Sequence, residues 1–162
     1  MVVIRKAGTE DAAVLAEILV RSFCSAFSGL LTAETIDRCA DPDNCTAMLR
    51  SVCEDSTIHA YLALQNGIPC GELFWQEGEE AELIALHSLP EVWGTGVGHQ
   101  LLEQAMADMA AAVMKRVFLW AFLENLRGRA FYEKHGLQWN GEKRSSDYDN
   151  AVEVRYEKEL AV

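Results

Sequence analysis

The sequence predicts one mixed α/β domain: a central, mostly antiparallel sheet of six to seven strands flanked by about four helices. Three observations carry this. The chain has 162 residues, 50% of them hydrophobic, which is the size of one domain with a substantial core. Runs with the period of a strand alternate with runs with the period of a helix along its length. One segment, residues 83–98, joins a short apolar run to an amphipathic helix through Gly94, Gly96 and Gly98. No repeat, low-complexity tract or linker divides the chain, so residues 1–162 read as a single unit.

Each element has its own signal. Residues 2–6 form a first strand. Thr9 suits a helix N-cap, with Glu10 and Asp11 in the first turn, and Val14, Leu15, Ile18, Leu19 and Phe23 then share one face. A break follows at Phe27-Ser28-Gly29, and Thr32 caps a shorter helical piece. Asp41-Pro42 opens another helix with proline at its tolerated first position; Cys45, Met48, Leu49, Val52 and Cys53 form its stripe. Residues 58–64 and 68–76 flank Asn66-Gly67, a hairpin signal, and so pair antiparallel. An acidic turn, Glu77-Gly78-Glu79-Glu80, leads into the strand 82–89. Beyond the glycines, Leu101, Leu102, Ala105, Met106, Met109, Ala112 and Val113 mark one face of a long helix. Residues 116–122 are an apolar strand, and 127–135 a short helix closed by Gly136. Strands 137–143 and 152–160 complete the chain around a polar loop, 145–150.

Composition narrows the function. The net charge is −11, with 25 acids against 14 bases, which excludes nucleic acid as a partner because phosphate backbones require a basic face. The same balance admits a cationic substrate, although by itself it indicates only solubility. No run approaches the ~18 apolar residues of a membrane span, and the N-terminus lacks the apolar region of a signal peptide. A cytoplasmic protein with no membrane partner is expected. Cys24, Cys39, Cys45, Cys53 and Cys70 form no Cys-x-x-Cys pair, so reduced thiols and no metal are expected.

The glycine segment carries the chemistry. Glycine lets a backbone approach an anion closely. Successive N–H groups and the positive end of the new helix attract phosphate. The order strand, turn, helix thus predicts binding of a pyrophosphate-bearing, nucleotide-like molecule. A dinucleotide fingerprint does not fit: the third glycine comes one residue early, and the next strand lacks the acid about 20 residues on. A Walker loop does not fit either, because His99 follows Gly98 where lysine is required.

The segment Asn125-Leu126-Arg127-Gly128-Arg129-Ala130-Phe131-Tyr132-Glu133-Lys134-His135-Gly136-Leu137 strongly resembles the Asn-x-Arg-Ala-x-x-Phe-Tyr-x-Lys-x-Gly-Phe stretch of the GNAT superfamily of acyl-CoA-dependent N-acetyltransferases. Leu86-His87-Ser88-Leu89-Pro90-Glu91-Val92-Trp93-Gly94-Thr95-Gly96-Val97-Gly98 is similar to that family's acetyl-CoA loop. The two motifs stand in the right order, separated by a helix and a strand, and the likeness covers essentially the whole chain. It departs at Trp93, where the family usually has Gln or Arg, at Thr95, often basic, and at Gly128, usually alanine.

The resemblance implies a GNAT-like sheet splayed at the cofactor site, and acetyl-CoA as cosubstrate. Gly94, Gly96 and Gly98, with the N–H groups of Thr95, Val97 and His99, would wrap the pyrophosphate. The backbone of Leu86, His87 and Ser88 would pair with the pantetheine arm, with the amide of Ser88 or its neighbour facing the thioester carbonyl. Asn125 would bond the pantetheine, and is equally suited to an N-cap. Tyr132 would protonate the leaving thiolate; adjacent helix residues point about 100° apart, so it is not expected to share a core face with Phe131. Glu82 matches the catalytic glutamate of some members and, by strand alternation, would share a face with Ile84, Leu86 and Ser88. Glu72, His87 and a water chain are its rivals as base. Phe27, Trp75 and Tyr148 are candidate walls of an acceptor pocket between residues 22–32 and 145–150. The implied reaction is direct acetyl transfer to a small-molecule or peptide amine, without an acyl-enzyme; Cys70 is the rival nucleophile. A non-catalytic acyl-CoA-binding regulator with the same fold is the alternative, and a homodimer is compatible with either.

Overall fold

A computed structural model describes residues 1–160. Seven strands form one sheet: β1 (Val2–Lys6), β2 (Ile58–Gln65), β3 (Ile68–Gln76), β4 (Ala81–Ser88), β5 (Arg116–Phe122), β6 (Gln138–Ser145) and β7 (Val152–Glu159). Their order is β1-β2-β3-β4-β5-β7-β6, and every neighbouring pair is antiparallel except β4 and β5. Five helices flank the sheet: α1 (Ala12–Phe27), α2 (Ala33–Cys39), α3 (Pro42–Glu54), α4 (Val97–Ala111) and α5 (Leu126–Lys134).

Local chemistry sets most boundaries. Asn66 and Gly67 take φ values of 52° and 79°, the left-handed pair that a two-residue hairpin demands. Asp41 caps α3 by accepting the N–H of Asp43 at 3.0 Å, and Thr32 caps α2 by accepting that of Thr35 at 3.2 Å. The first helix starts later than Thr9 indicates. Residues Thr9–Asp11 form a 3-10 turn, because the buried Asp11 carboxylate reaches back to the Gly8 N–H and takes a two-pronged bond from Arg5. Two side chains leave their expected stripes. Met48 is exposed, and Val113 lies beyond the end of α4 with φ 63°, turned out to water.

Tight contacts on the sheet position the site. A Cβ on Gly71 of β3 would come within 3.0 Å of Val97 and 3.1 Å of Leu101, so only glycine lets the start of α4 lie this close to the sheet. The indole of Trp75 donates to the Tyr61 hydroxyl, which donates to Asp108 of α4, a buried chain that fixes the same helix at its far end. With α4 anchored at both ends, the loop preceding it is held against the end of β4.

Candidate active site

The sheet opens where β4 meets β5. These parallel strands pair only at Ala81↔Val117 and Glu82↔Phe118; from Leu83 onward β4 has no partner on that side. Alternate residues of a strand direct both backbone groups to the same edge. Leu89 donates its N–H to Cys70 on the β3 side, so Ser88 and Leu86 direct theirs into the opening, and His87 directs its own toward β3. Unpaired strand groups beside a cleft are a template for an extended, amide-bearing ligand.

A β-bulge lies within β4 and corrects one expectation. Phe74 pairs with Ala85 and Trp75 with Leu83, leaving Ile84 as the extra residue. Cross-strand partners share a face, so Glu82 lies with Ala85, His87 and Glu72, and not with Leu86 and Ser88. Glu82 lines a shallow cavity of about 400 Å³ with Glu77, Glu79, Glu80, Phe118 and Arg155.

The glycine loop follows β4 through a 3-10 turn, Pro90–Val92. Gly94 and Gly96 take φ values of 78° and 94°, which L side chains rarely adopt, and nothing lies within 4 Å of where their Cβ atoms would be. Conformation, not crowding, requires glycine there, and the concave side is open. Gly96 is the N-cap of α4, and the N–H groups of Val97, Gly98 and His99 precede the first helical bond, from Gln100 to Gly96. Thr95 differs from expectation: its N–H bonds the Val92 carbonyl at 3.2 Å, and its hydroxyl the same oxygen at 2.6 Å. That residue closes the turn instead of offering a donor.

Trp93 has two contacts that its sequence position does not announce. Its indole N–H donates to the Ser88 carbonyl at 2.9 Å, tying the loop to the open edge of β4. The Arg127 guanidinium lies 3.6 Å from the centroid of its ring. Arg127 has no carboxylate partner among the described residues. The signal for it was in the Asn-x-Arg motif, but the stacking partner is 34 positions away in sequence.

Helix α5 supplies the remaining groups. Asn125 is its N-cap, accepting the Gly128 N–H at 3.1 Å. A Cβ at Gly128 would meet the Asn125 amide nitrogen at 2.5 Å, so the glycine permits this folded-back cap. Tyr132 is half-buried beside Phe131, with ring centroids 5.4 Å apart. Both rings touch the main core, contrary to the expected division of faces; Phe131 does so while covering Gly98 of α4. The Tyr132 hydroxyl has no hydrogen-bond partner among the described residues. Burial pushes its pKa up to about 12.

Glu72 is the least expected group in the molecule. It is wholly buried; one carboxylate oxygen faces His87 Nδ1 at 2.9 Å, and the other has no partner. Burial raises its pKa, and the bond from His87 opposes that rise. Cys70 is buried too. Its thiol bonds the Ala63 carbonyl at 3.6 Å and burial raises its pKa, the opposite of an activated nucleophile.

The acceptor walls are brought together in part. Phe27 packs edge-on against Phe122 at 5.1 Å, and Tyr148 against Phe122 at 5.8 Å, where β5 ends at the wide end of the opening. Asp149 accepts the Thr32 N–H at 2.8 Å and bonds the Thr35 hydroxyl, docking the 145–150 loop onto the start of α2. Trp75 is not a wall. It is fully buried on the face toward α4.

Comparison with known proteins agrees with this geometry. The profile of the acetyltransferase (GNAT) family matches residues 13–137. The chain is 29% identical over 133 residues to a Mycobacterium tuberculosis protein named an uncharacterized N-acetyltransferase, covering 81% of this chain and 85% of that one. Its fold superposes with TM-score 0.86 on the PaiA N-acetyltransferase of Thermoplasma acidophilum in complex with coenzyme A, at 23% identity over 99% of both chains. A TM-score of 0.77 relates it to a Salmonella typhimurium acetyltransferase solved with acetyl-CoA, at 15% identity over 100% of this chain and 95% of that one. The family profile spans most of the sequence and includes both the splayed strand and the glycine loop: the chain belongs to the acetyltransferase (GNAT) family.

Proposed function

We propose that the protein transfers the acetyl group of acetyl-CoA to a primary amine, by direct attack of the amine within a ternary complex. Family membership makes it an acyltransferase with acetyl-CoA as cosubstrate. One observation carries the finer reading: the edge of β4 is unpaired from Leu83 onward, directly before a glycine loop whose helix presents three free N–H groups. The residues fit the cosubstrate. Val97, Gly98 and His99 offer N–H groups to pyrophosphate, with Gly94 and Gly96 leaving room for it. Arg127 on Trp93 supplies the cation that the loop itself lacks. The open edge at Leu86 and Ser88 suits the two amides of the pantetheine arm, and Asn125 remains within the same wall.

The chain's groups then divide the work. A backbone N–H of the open edge, at Leu86 or Ser88, stabilises negative charge developing on the thioester oxygen. The amine nitrogen forms its bond to the carbonyl carbon as the carbon–sulfur bond breaks, and the electron pair leaves with sulfur. Tyr132 donates a hydrogen bond to that sulfur. Glu82, on the acidic face, accepts the proton from the ammonium acceptor, directly or through water. The negative charge around Glu77, Glu79 and Glu82 favours a cationic acceptor. His87, held by Glu72, is the competing base on that face. A homodimer is compatible with this reading, and sedimentation equilibrium checks it.

The test combines calorimetry with acetyl-CoA and a thiol-release screen over small amines, aminoglycoside-like compounds and peptides with free N-termini or lysines. Binding with release for one class supports the proposal and names the acceptor. Binding without release in any class makes the protein a non-catalytic acyl-CoA binder, and no binding refutes the assignment.

A further inference from the structure

We propose that His99, Glu103 and His135 form a divalent transition-metal site, of the class filled by Zn²⁺, on the outer flank of the cofactor loop. One ligand atom from each residue lies within 4.8 Å of the other two. His99 and Glu103 stand one turn apart on α4, so their side chains project from the same face. His135 comes from the C-terminal end of α5.

His135 is oriented as a ligand is. His135 Nδ1 lies 2.8 Å from the Phe131 carbonyl oxygen. A carbonyl can only accept, so the ring proton is on Nδ1 and Nε2 carries a bare lone pair. Such a bond on the far nitrogen is the usual support of a metal-bound histidine. His99 Nδ1, 2.7 Å away, donates its ring proton to that Nε2 lone pair; an entering ion takes the place of this proton, which moves to His99 Nε2 or to solvent. Two histidine ligands about 2.05 Å from a tetrahedral ion stand roughly 3.3 Å apart, so the rings need to separate by only about 0.6 Å to admit one. His99 and Glu103 are exposed, which makes that shift inexpensive.

Glu103 supplies the third ligand. It has no hydrogen bond and no ion pair among the described residues, beside two imidazoles in a chain of net charge −11. Two imidazoles and one carboxylate suit zinc, cobalt or nickel rather than calcium or magnesium, which take oxygen donors. Water would complete the coordination. The ion stands outside the reacting atoms and takes no part in acyl transfer. It would fasten α4, which carries the phosphate-facing N–H groups, to α5, which carries Asn125, Arg127 and Tyr132.

Cobalt(II) titration of the tag-free full chain tests this through its visible d–d absorption, which is independent of activity. One equivalent is expected to bind. His99→Gln and Glu103→Gln should each weaken binding at least roughly tenfold, and both positions are exposed, so circular dichroism should show an unchanged fold. Equal affinity in the variants, no absorption change with excess cobalt, or a thiolate-to-cobalt charge-transfer band placing the ion on a cysteine would each overturn the site.

Discussion

Replacing Tyr132 by Phe removes one oxygen and keeps the ring against the core. Burial pushes the phenol to about 12, whereas an ordinary thiol titrates near ~8.5. Complete proton transfer from phenol to a free thiolate is therefore uphill by about 3.5 units, or roughly 5 kcal/mol at 1.36 kcal/mol per unit. In the proposed reaction Tyr132 would therefore serve the leaving sulfur as a hydrogen-bond donor while charge builds, with solvent completing the protonation. A hydrogen bond to a charged acceptor contributes about 1.5–3 kcal/mol, so kcat should fall by roughly 10- to 150-fold. Affinity for coenzyme A should stay within a few fold, since the hydroxyl bonds no protein group whose loss would disturb the fold. The alkaline limb of the pH–rate profile should also show no fall from this phenol between neutral pH and about pH 10, because it stays protonated there. The assay is thiol release at saturating acetyl-CoA, with calorimetry for the cofactor. An unchanged kcat, with chemistry shown to be rate-limiting, would refute the role; so would a loss confined to cofactor affinity.

Gly96→Asp should abolish acetyl-CoA binding measured by calorimetry, because it forces a side chain into φ 94° and sets a negative charge at the helix N-terminus; binding equal to wild type would remove the loop from the site. Glu82→Gln should lower kcat/KM strongly at neutral pH and recover in part at high pH, where more of the amine is already neutral, while His87→Gln should have little effect. The reverse pattern would move the base to the His87–Glu72 pair. Glu72 should make stability depend on pH in a stated direction. Its folded pKa is raised by burial, so its contribution is complete below the unfolded value near ~4.3 and is lost as pH climbs through the raised folded value. Urea titrations at about pH 5 and about pH 8 should show wild type losing stability with pH more steeply than Glu72→Gln; parallel curves would show that the folded pKa of this carboxyl is not raised and that it is already ionised in the folded protein over this range.

How much of this was legible in the sequence follows from the range of the interactions. Caps and turns are local, so Thr32, Asp41-Pro42 and Asn66-Gly67 could be read at their positions. The glycine loop was legible for the same reason: φ values of 78° and 94° are a local demand that only glycine meets easily. The bulge at Ile84 was not, because a bulge is a mismatch in count between two strands: it shifts the alternation of β4 at a point that shows only against its partner β3. That one extra residue moves Glu82 from the face of Ser88 to the face of Glu72 and His87, and so changes which side of the sheet the proposed base faces. Trp75 could not be assigned from the sequence, because an aromatic at the right period looks alike whether it lines a pocket or fills a core; it fills the core. At Trp93 the loop departs from its family where a polar or basic residue usually stands. The guanidinium of Arg127 lies on that indole, and the indole N–H holds Ser88, so one substitution ties the loop, the open strand and α5 together. Neither residue indicates this alone; the charge absent from the loop's sequence is present in its space because α5 begins beside it.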